Sequence, residues 1–150
     1  MAERLTKSAA RNVFYGGTIF FFVVFVALVA QSHSYIVTKS SNDDKLTADV
    51  KAGKLVWEEH SCINCHTIMG EGAYFAPELS NVWVRYGGRE DPEGARQALK
   101  AWFESQPTGI PGRRQMPQFN LSEEEMDNLI DFLRWTSKVD TQGWPPNKAG

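Results

Sequence analysis

From Val13 to Ala30 the chain runs for 18 residues without a charge, and Val, Ile, Leu and Phe dominate the run. The uncharged stretch as a whole extends from Asn12 to Thr38. At about 1.5 Å of rise per residue, the apolar part is roughly as long as the hydrocarbon core of a bilayer is thick. One membrane-spanning helix is expected. A cleaved secretory signal is the alternative, but its apolar core is usually about 7–15 residues and ends in a small-x-small site. Ala27 and Ala30 do not stand at that spacing, so the expectation is a retained anchor. Gly16, Gly17 and Thr18 form a small-residue patch on it where a partner helix can approach, although plain lipid contact explains the run as well.

Beyond the anchor the pattern changes. Gln31 to Asp44 is polar, with Ser32, Ser34, Ser40, Ser41 and Asn42, and reads as the helix end and a short tether. Thr47 is a fair N-cap for a helix to about Glu59, with Asp49 in its first turn. Val50, Lys54 and Trp57 share a face with Gly53. A glycine inside a helix costs about 1 kcal/mol relative to alanine, so close crossing by another helix is expected there. The segment from Met69 to Leu79 is glycine-rich and then stopped by Pro77, which predicts a loop, followed by a short helix around Leu79 to Tyr86. Asp91 and Pro92 open another helix, in which Ala95, Ala98, Leu99, Trp102 and Phe103 recur as one buried stripe. Pro107, Gly109, Pro111 and Gly112 break the chain into a second loop ending at Met116-Pro117. Ser122 with Glu125 forms a capping box for a last helix to about Lys138, with Met126, Leu129, Ile130 and Leu133 as its core face and Phe132 nearer the edge. No internal repeat or strand pattern appears, so the expected class is all-α.

Length and charge narrow the picture. The 150 residues (16.9 kDa) suffice for one modest domain, and a net charge of −2 argues against a nucleic-acid binder. Residues 1–30 carry Arg4, Lys7 and Arg11 against Glu3, a net of +2, which leaves −4 for the remainder. Positive charge on the amino side of the span places the N-terminus in the cytoplasm and sends the rest outward. In a bacterium that is a single-pass protein of the inner membrane with a periplasmic domain. The run Glu123-Glu124-Glu125 suits the start of a helix better than a docking patch.

The chemistry lies in Cys62-Ile63-Asn64-Cys65-His66, which holds the only two cysteines of the chain. Two thiols separated by two residues, with an imidazole directly behind the second, are the arrangement that attaches one c-type haem: the thiols add across its vinyl groups and His66 ligates the iron. A thioredoxin-like redox pair would want alternating strands and helices around it. A structural zinc site needs four ligands, and the remaining histidines, His33 and His60, are not at finger spacing. For the second axial ligand the candidates are His33, His60, Met69, Met116 and Met126. Met69 is too near His66 to wrap round the porphyrin, Met126 sits on an apolar helix face, His33 is at the membrane boundary and His60 reads as a loop residue. Met116, 50 residues past His66 in a proline-held loop, is the expected ligand. An iron ligated on both faces carries electrons and offers no open position.

From about Lys45 to Lys138 the chain resembles class I cytochrome c. Gly53 and Trp57 are similar to that family's first-helix pair, and Leu129 and Phe132 to the last-helix pair that crosses them. Pro77 and Leu79 are similar to its proline and leucine after the motif, which implies that the Pro77 carbonyl holds the ligating imidazole of His66. The run from Cys62 to Leu79, above all Gly70-Glu71-Gly72-Ala73-Tyr74-Phe75-Ala76-Pro77, together with the anchor, resembles the cytochrome c subunit of bacterial nitric oxide reductase. The resemblance implies an electron-transfer subunit with no catalytic site of its own. It would accept electrons from a small cytochrome c or a cupredoxin and pass them to a large polytopic catalytic subunit. There haem b and a haem with non-haem iron would convert two NO, two electrons and two protons to nitrous oxide and water. It also implies an interface calcium, with the Gly72 carbonyl and Tyr74 at the matching positions; the plainer reading is a tight turn at Gly70 and Gly72 and a haem-edge contact for Tyr74. Glu71 reads as a proton-path or surface carboxylate. The implied organisation is an N-terminus and anchor at 1–38, a tether at 39–46, a haem domain at 47–140 and a tail at 141–150. The cytochrome subunit of another membrane oxidase, a free-standing tethered shuttle and a haem-based gas sensor are the alternatives.

Overall fold

In a computed structural model, the structure describes residues 6–40 and 45–141. Arg4 of the amino-terminal cationic group, tether residues 41–44 and tail residues 142–150 lie outside the described residues. The chain divides into two compact units, residues 1–39 and 40–150.

The described part of the first unit is helical. α1 runs from Lys7 to Tyr35, its N-cap Thr6 accepting the N–H of Ala9, and a π-helical turn, Ile36–Ser40, continues it up to the first residue of the second unit. Helical geometry thus persists for 34 residues, well past Ala30 at the end of the apolar run. At about 1.5 Å per residue this is about 51 Å, longer than a hydrocarbon core of about 30 Å is thick. Nothing stands within 4 Å of where a side chain at Gly16 or Gly17 would begin, so the backbone is bare there.

The second unit is built on two crossing helices. α2 (Ala48–Glu59) is capped by Thr47, whose hydroxyl accepts the N–H of Val50. It presses Val50, Gly53, Val56 and Trp57 inward. Lys54 does not share that face: it is exposed and pairs with Glu58 one turn on, because Val56 occupies the inner position instead. A short hairpin, β1 (Thr67–Ile68) against β2 (Glu71–Gly72), corrects the expectation of a strandless chain. Its turn has φ of 52° at Met69 and 83° at Gly70, the left-handed pair that a type I′ turn needs, and methionine rarely signals it. After it come α3 (Val82–Arg85), α4 (Pro92–Glu104, capped by Asp91) and α5 (Glu123–Thr136). The expected capping box between Ser122 and Glu125 is formed in both directions.

The core is where α2 and α5 cross. A Cβ on Gly53 would fall 1.9 Å from the Asn128 carbonyl oxygen and 2.8 Å from Cβ of Phe132, so the two backbones touch. Phe132 is buried, not at an edge, with its ring 6.4 Å from that of Trp57. α4 contributes less than its periodicity promised. Ala95 and Leu99 are buried and Phe103 partly so, but Ala98 and Trp102 face outward. The helix leans on α5 along one row only, beside which charged pairs take over. Arg96 reaches Asp127 at 3.0 Å and also Asp131, and Lys100 reaches Glu123 at 2.7 Å and Asp127 at 2.9 Å. Lys100 above all, with Arg96, holds the Asp127 carboxyl below its ordinary value of 3.8. A lowered carboxyl stabilises above its ordinary value and ceases to do so as pH falls through the folded one, so this latch weakens in acid.

Gly53→Ala should force α2 and α5 apart and cost about 2 kcal/mol or more, since overpacking of this kind typically outweighs the gain in helix propensity. Denaturant unfolding of the parent and variant measures it; equal midpoints would refute the close crossing.

Candidate cofactor site at the thiol and imidazole turn

α2 stops at His60, and Ser61 turns into the left-handed region at φ 53°. The chain then makes a 3-10 turn, Cys62–Asn64, in which the N–H groups of Cys65 and His66 both donate to the Cys62 carbonyl at 3.1 and 2.9 Å. One turn of helix therefore carries both thiols, half-buried and unbridged. Burial chiefly, with Cys65 adding to it, pushes the Cys62 thiol up to about 11, so it is neutral at physiological pH.

His66 is oriented before any metal is considered. Its Nδ1 lies 2.7 Å from the Pro77 carbonyl, to which it donates, leaving Nε2 as the nitrogen with a free lone pair. Burial lowers its pKa, the bond to Pro77 opposes that, and Arg85 adds repulsion, so the imidazole is favoured in the neutral form that a metal requires. Pro77 is itself fixed. Ala73 N–H donates to the Ile63 carbonyl, Ala76 to Cys65 and Leu79 to Thr67, at 2.8–2.9 Å, lacing the loop onto the turn. Gly72, at φ 122°, is where that lacing is tightest: a Cβ there would lie 2.2 Å from the His66 carbonyl oxygen.

Sequence reasoning passed over the group that holds this loop. Glu78 is buried, only 6% exposed, and its carboxylate accepts from the N–H groups of Met69 and Ser80, each at 3.0 Å, and from the Ser80 hydroxyl. Its main-chain carbonyl accepts from Arg85 Nη2 at 2.8 Å. A carboxylate in a glycine-rich loop reads as solvated, and no local pattern marks it as buried.

Met116 is half-buried in the second loop, and the expected proline rigidity is supplied mainly by two glutamines. Gln115 accepts from Gly109 N–H at 3.1 Å and donates to the carbonyls of Ile110 and Arg113 at 3.0 Å. Gln118 donates to the carbonyls of Phe103, Glu104 and Gln106 at 3.1–3.3 Å. On either side of Met116 the loop returns to the motif. Arg114 lies 4.9 Å over the Phe75 ring and donates to the Phe75 carbonyl, and Phe119 meets His60 edge-on at 5.3 Å. Met126 is buried core on α5, and His60 is engaged by Phe119. His33 belongs to α1 in the other unit. Tyr74 is 70% exposed, its hydroxyl 3.5 Å from the Gly70 carbonyl.

The donor set fits haem. Two thiols and an imidazole on one turn suit a cofactor that brings four nitrogens of its own and needs covalent attachment and an axial ligand from the protein. Nη1 of Arg85 is buried without an acceptor, as a haem carboxylate would supply. The residues that would hold the group are Cys62 and Cys65 by covalent attachment and His66 through Nε2, with Met116 on the braced loop.

Glu78→Ala should strip the Ser80 N–H of its acceptor and leave the Met69 N–H with the Ser80 hydroxyl alone, at about 1–3 kcal/mol for the donor left buried and unpaired. Denaturant unfolding should show the loss, and a variant as stable as the parent would mean that Glu78 is not what holds this loop.

Comparison with known proteins agrees with this geometry. The cytochrome c family profile matches residues 50–137. The chain is 62% identical to the C subunit of nitric oxide reductase from Halomonas halodenitrificans and 57% identical to that from Paracoccus denitrificans, with 100% of each chain covered. Over 83 residues, 55% of this chain and 24% of the relative, it is 35% identical to cytochrome c oxidase subunit 2 of Alkalihalophilus pseudofirmus.

Proposed function

The chain belongs to the family of nitric oxide reductase C subunits, and we propose that it is the membrane-anchored, periplasmic point of electron entry to that enzyme. It is an electron-transfer cytochrome of the reductase, and its cofactor is haem c. In the proposed arrangement Cys62 and Cys65 carry a single haem through thioether bonds. His66, oriented by Pro77, ligates the iron on one face and Met116 on the other. The haem supplies a one-electron couple; with both axial positions filled, it does not bind nitric oxide.

The observation that carries this reading is the pre-set His66, with Nδ1 committed to Pro77 and both thiols on the adjoining turn. It is read together with the end-to-end likeness to the reductase relatives. Residues 1–38 are the cytoplasmic N-terminus and anchor of a single-pass inner-membrane protein, 39–46 the tether, 47–140 the haem domain and 141–150 the tail. Electrons come from a soluble donor, a small cytochrome c or a cupredoxin. They pass to the large polytopic subunit, where haem b and a haem with non-haem iron reduce two NO with two electrons and two protons to nitrous oxide and water. The Gly72 carbonyl and Tyr74 are this chain's share of an interface calcium site. Calcium takes about 6–8 oxygens, so the partner and the haem carboxylates must provide the remainder.

Membranes with and without this chain, supplied with an artificial donor that reduces c-type haem, test the function. NO consumption should be lost without the chain; an unchanged rate would rule out electron entry here. Met116→Ala should open the reduced iron to carbon monoxide and lower its potential by on the order of 0.1 V, since a thioether favours Fe(II). A variant matching the parent in both respects would remove Met116 as a ligand.

A further inference from the structure

Two contacts tie the loop of Met116 to the segments around His66, one on each side of the methionine. Two residues before it, the Arg114 guanidinium stands 4.9 Å over the Phe75 ring and donates to the carbonyl of that same residue. Three residues after it, Phe119 meets the His60 ring edge-on at 5.3 Å, and His60 caps α2 just ahead of the thiol turn. Gln115 and Gln118 act differently. Their partners are main-chain groups of the loop itself and of the end of α4, so they shape the loop without setting where it stands relative to His66.

Phe75 is a firm place to hold. Beside it, Ala76 N–H donates to the Cys65 carbonyl at 2.8 Å, and the Pro77 carbonyl accepts from His66 Nδ1 at 2.7 Å. The carbonyl that holds Arg114 and the carbonyl that holds His66 are thus two residues apart, on a stretch fastened to the thiol turn between them. Arg114 and Met116 are also two residues apart, so each pair of Cα atoms lies within about 7 Å. A planar guanidinium can lie over a ring and donate from its edge at the same time, which fixes it in two directions. We propose that Arg114 is the positioning residue for Met116: clamped on Phe75, it keeps the second loop in register with the stretch that orients His66. One piece of backbone then sets the place of both side chains. The inference rests on the reading of Met116 as the second axial ligand.

The test uses the full-length, haem-loaded chain in a mild nonionic detergent, reduced and mixed with carbon monoxide at concentrations high enough that the binding rate no longer depends on them. That limiting rate reports how often the Met116 sulfur leaves the iron. Arg114 is exposed, so its replacement leaves the core untouched. Arg114→Gln should raise the limiting rate about fivefold, the order expected on losing an exposed cation and ring contact together with its charge-assisted hydrogen bond. Arg113→Gln removes the same charge one residue away and should leave the rate as in the parent. In a Phe75→Leu background Arg114→Gln should add at most about twofold, because residues in contact do not act additively. A rate in Arg114→Gln equal to the parent's, an equal rise in Arg113→Gln, or the full rise in the Phe75→Leu background overturns the proposal. Met116→Ala separates it from the reading on which it rests. If that variant binds carbon monoxide with no limiting rate while Arg114→Gln matches the parent, the positioning role alone falls. If Met116→Ala keeps the parent's limiting rate, Met116 is not the ligand and both fall.

Discussion

The contact between α2 and α5 at Gly53 governs most of what lies around it. Because the two backbones meet there, Trp57 and Phe132 are drawn into one aromatic layer, and Trp57 in turn stands 6.4 Å from His66. The turn that carries the thiols starts two residues beyond the cap of α2, so its placement is inherited from the same crossing. Two side chains of ordinary size at that point would separate the helices by several ångströms. The cofactor turn would then lose its floor.

On that base the site is held by backbone more than by side chains. Three main-chain hydrogen bonds from residues 73, 76 and 79 return the loop to the thiol turn, and Pro77, between the last two, offers its carbonyl to His66. Glu78 stabilises the same loop from inside by accepting the N–H groups of Met69 and Ser80 and the Ser80 hydroxyl. A buried carboxylate satisfied in this way is costly to remove and hard to replace, since each of its partners is fixed. The outer surface of the loop keeps Tyr74 and Phe75 exposed, which agrees with its proposed role against a partner.

Much of the architecture was legible because its signals are local. Thr47, Asp91 with Pro92, and Ser122 with Glu125 mark three helix starts through hydrogen bonds spanning three residues, and each is made as expected. Gly53 announced a close neighbour because a helix has little other use for a glycine. What could not be read depends on distant partners. The stripe on α4 over-reached at Ala98 and Trp102 since periodicity shows which residues align but not how wide a face the neighbour covers. The hairpin was hidden because Met69 adopts a left-handed conformation that only its neighbours enforce. Glu78, Gln115 and Gln118 look like solvent residues until the carbonyls and N–H groups that they serve are in place.

The two sides of the proposed iron centre are supported unequally. The imidazole side is laced into the core by main-chain bonds, whereas the loop bearing Met116 hangs from α4 by Gln118, from itself by Gln115, and from Phe75 by Arg114. Exposed side-chain bonds of this kind open at lower free energy than core backbone ladders. The Met116 side of the site would therefore loosen before the His66 side, and the glutamines that brace it would set how often that loop opens.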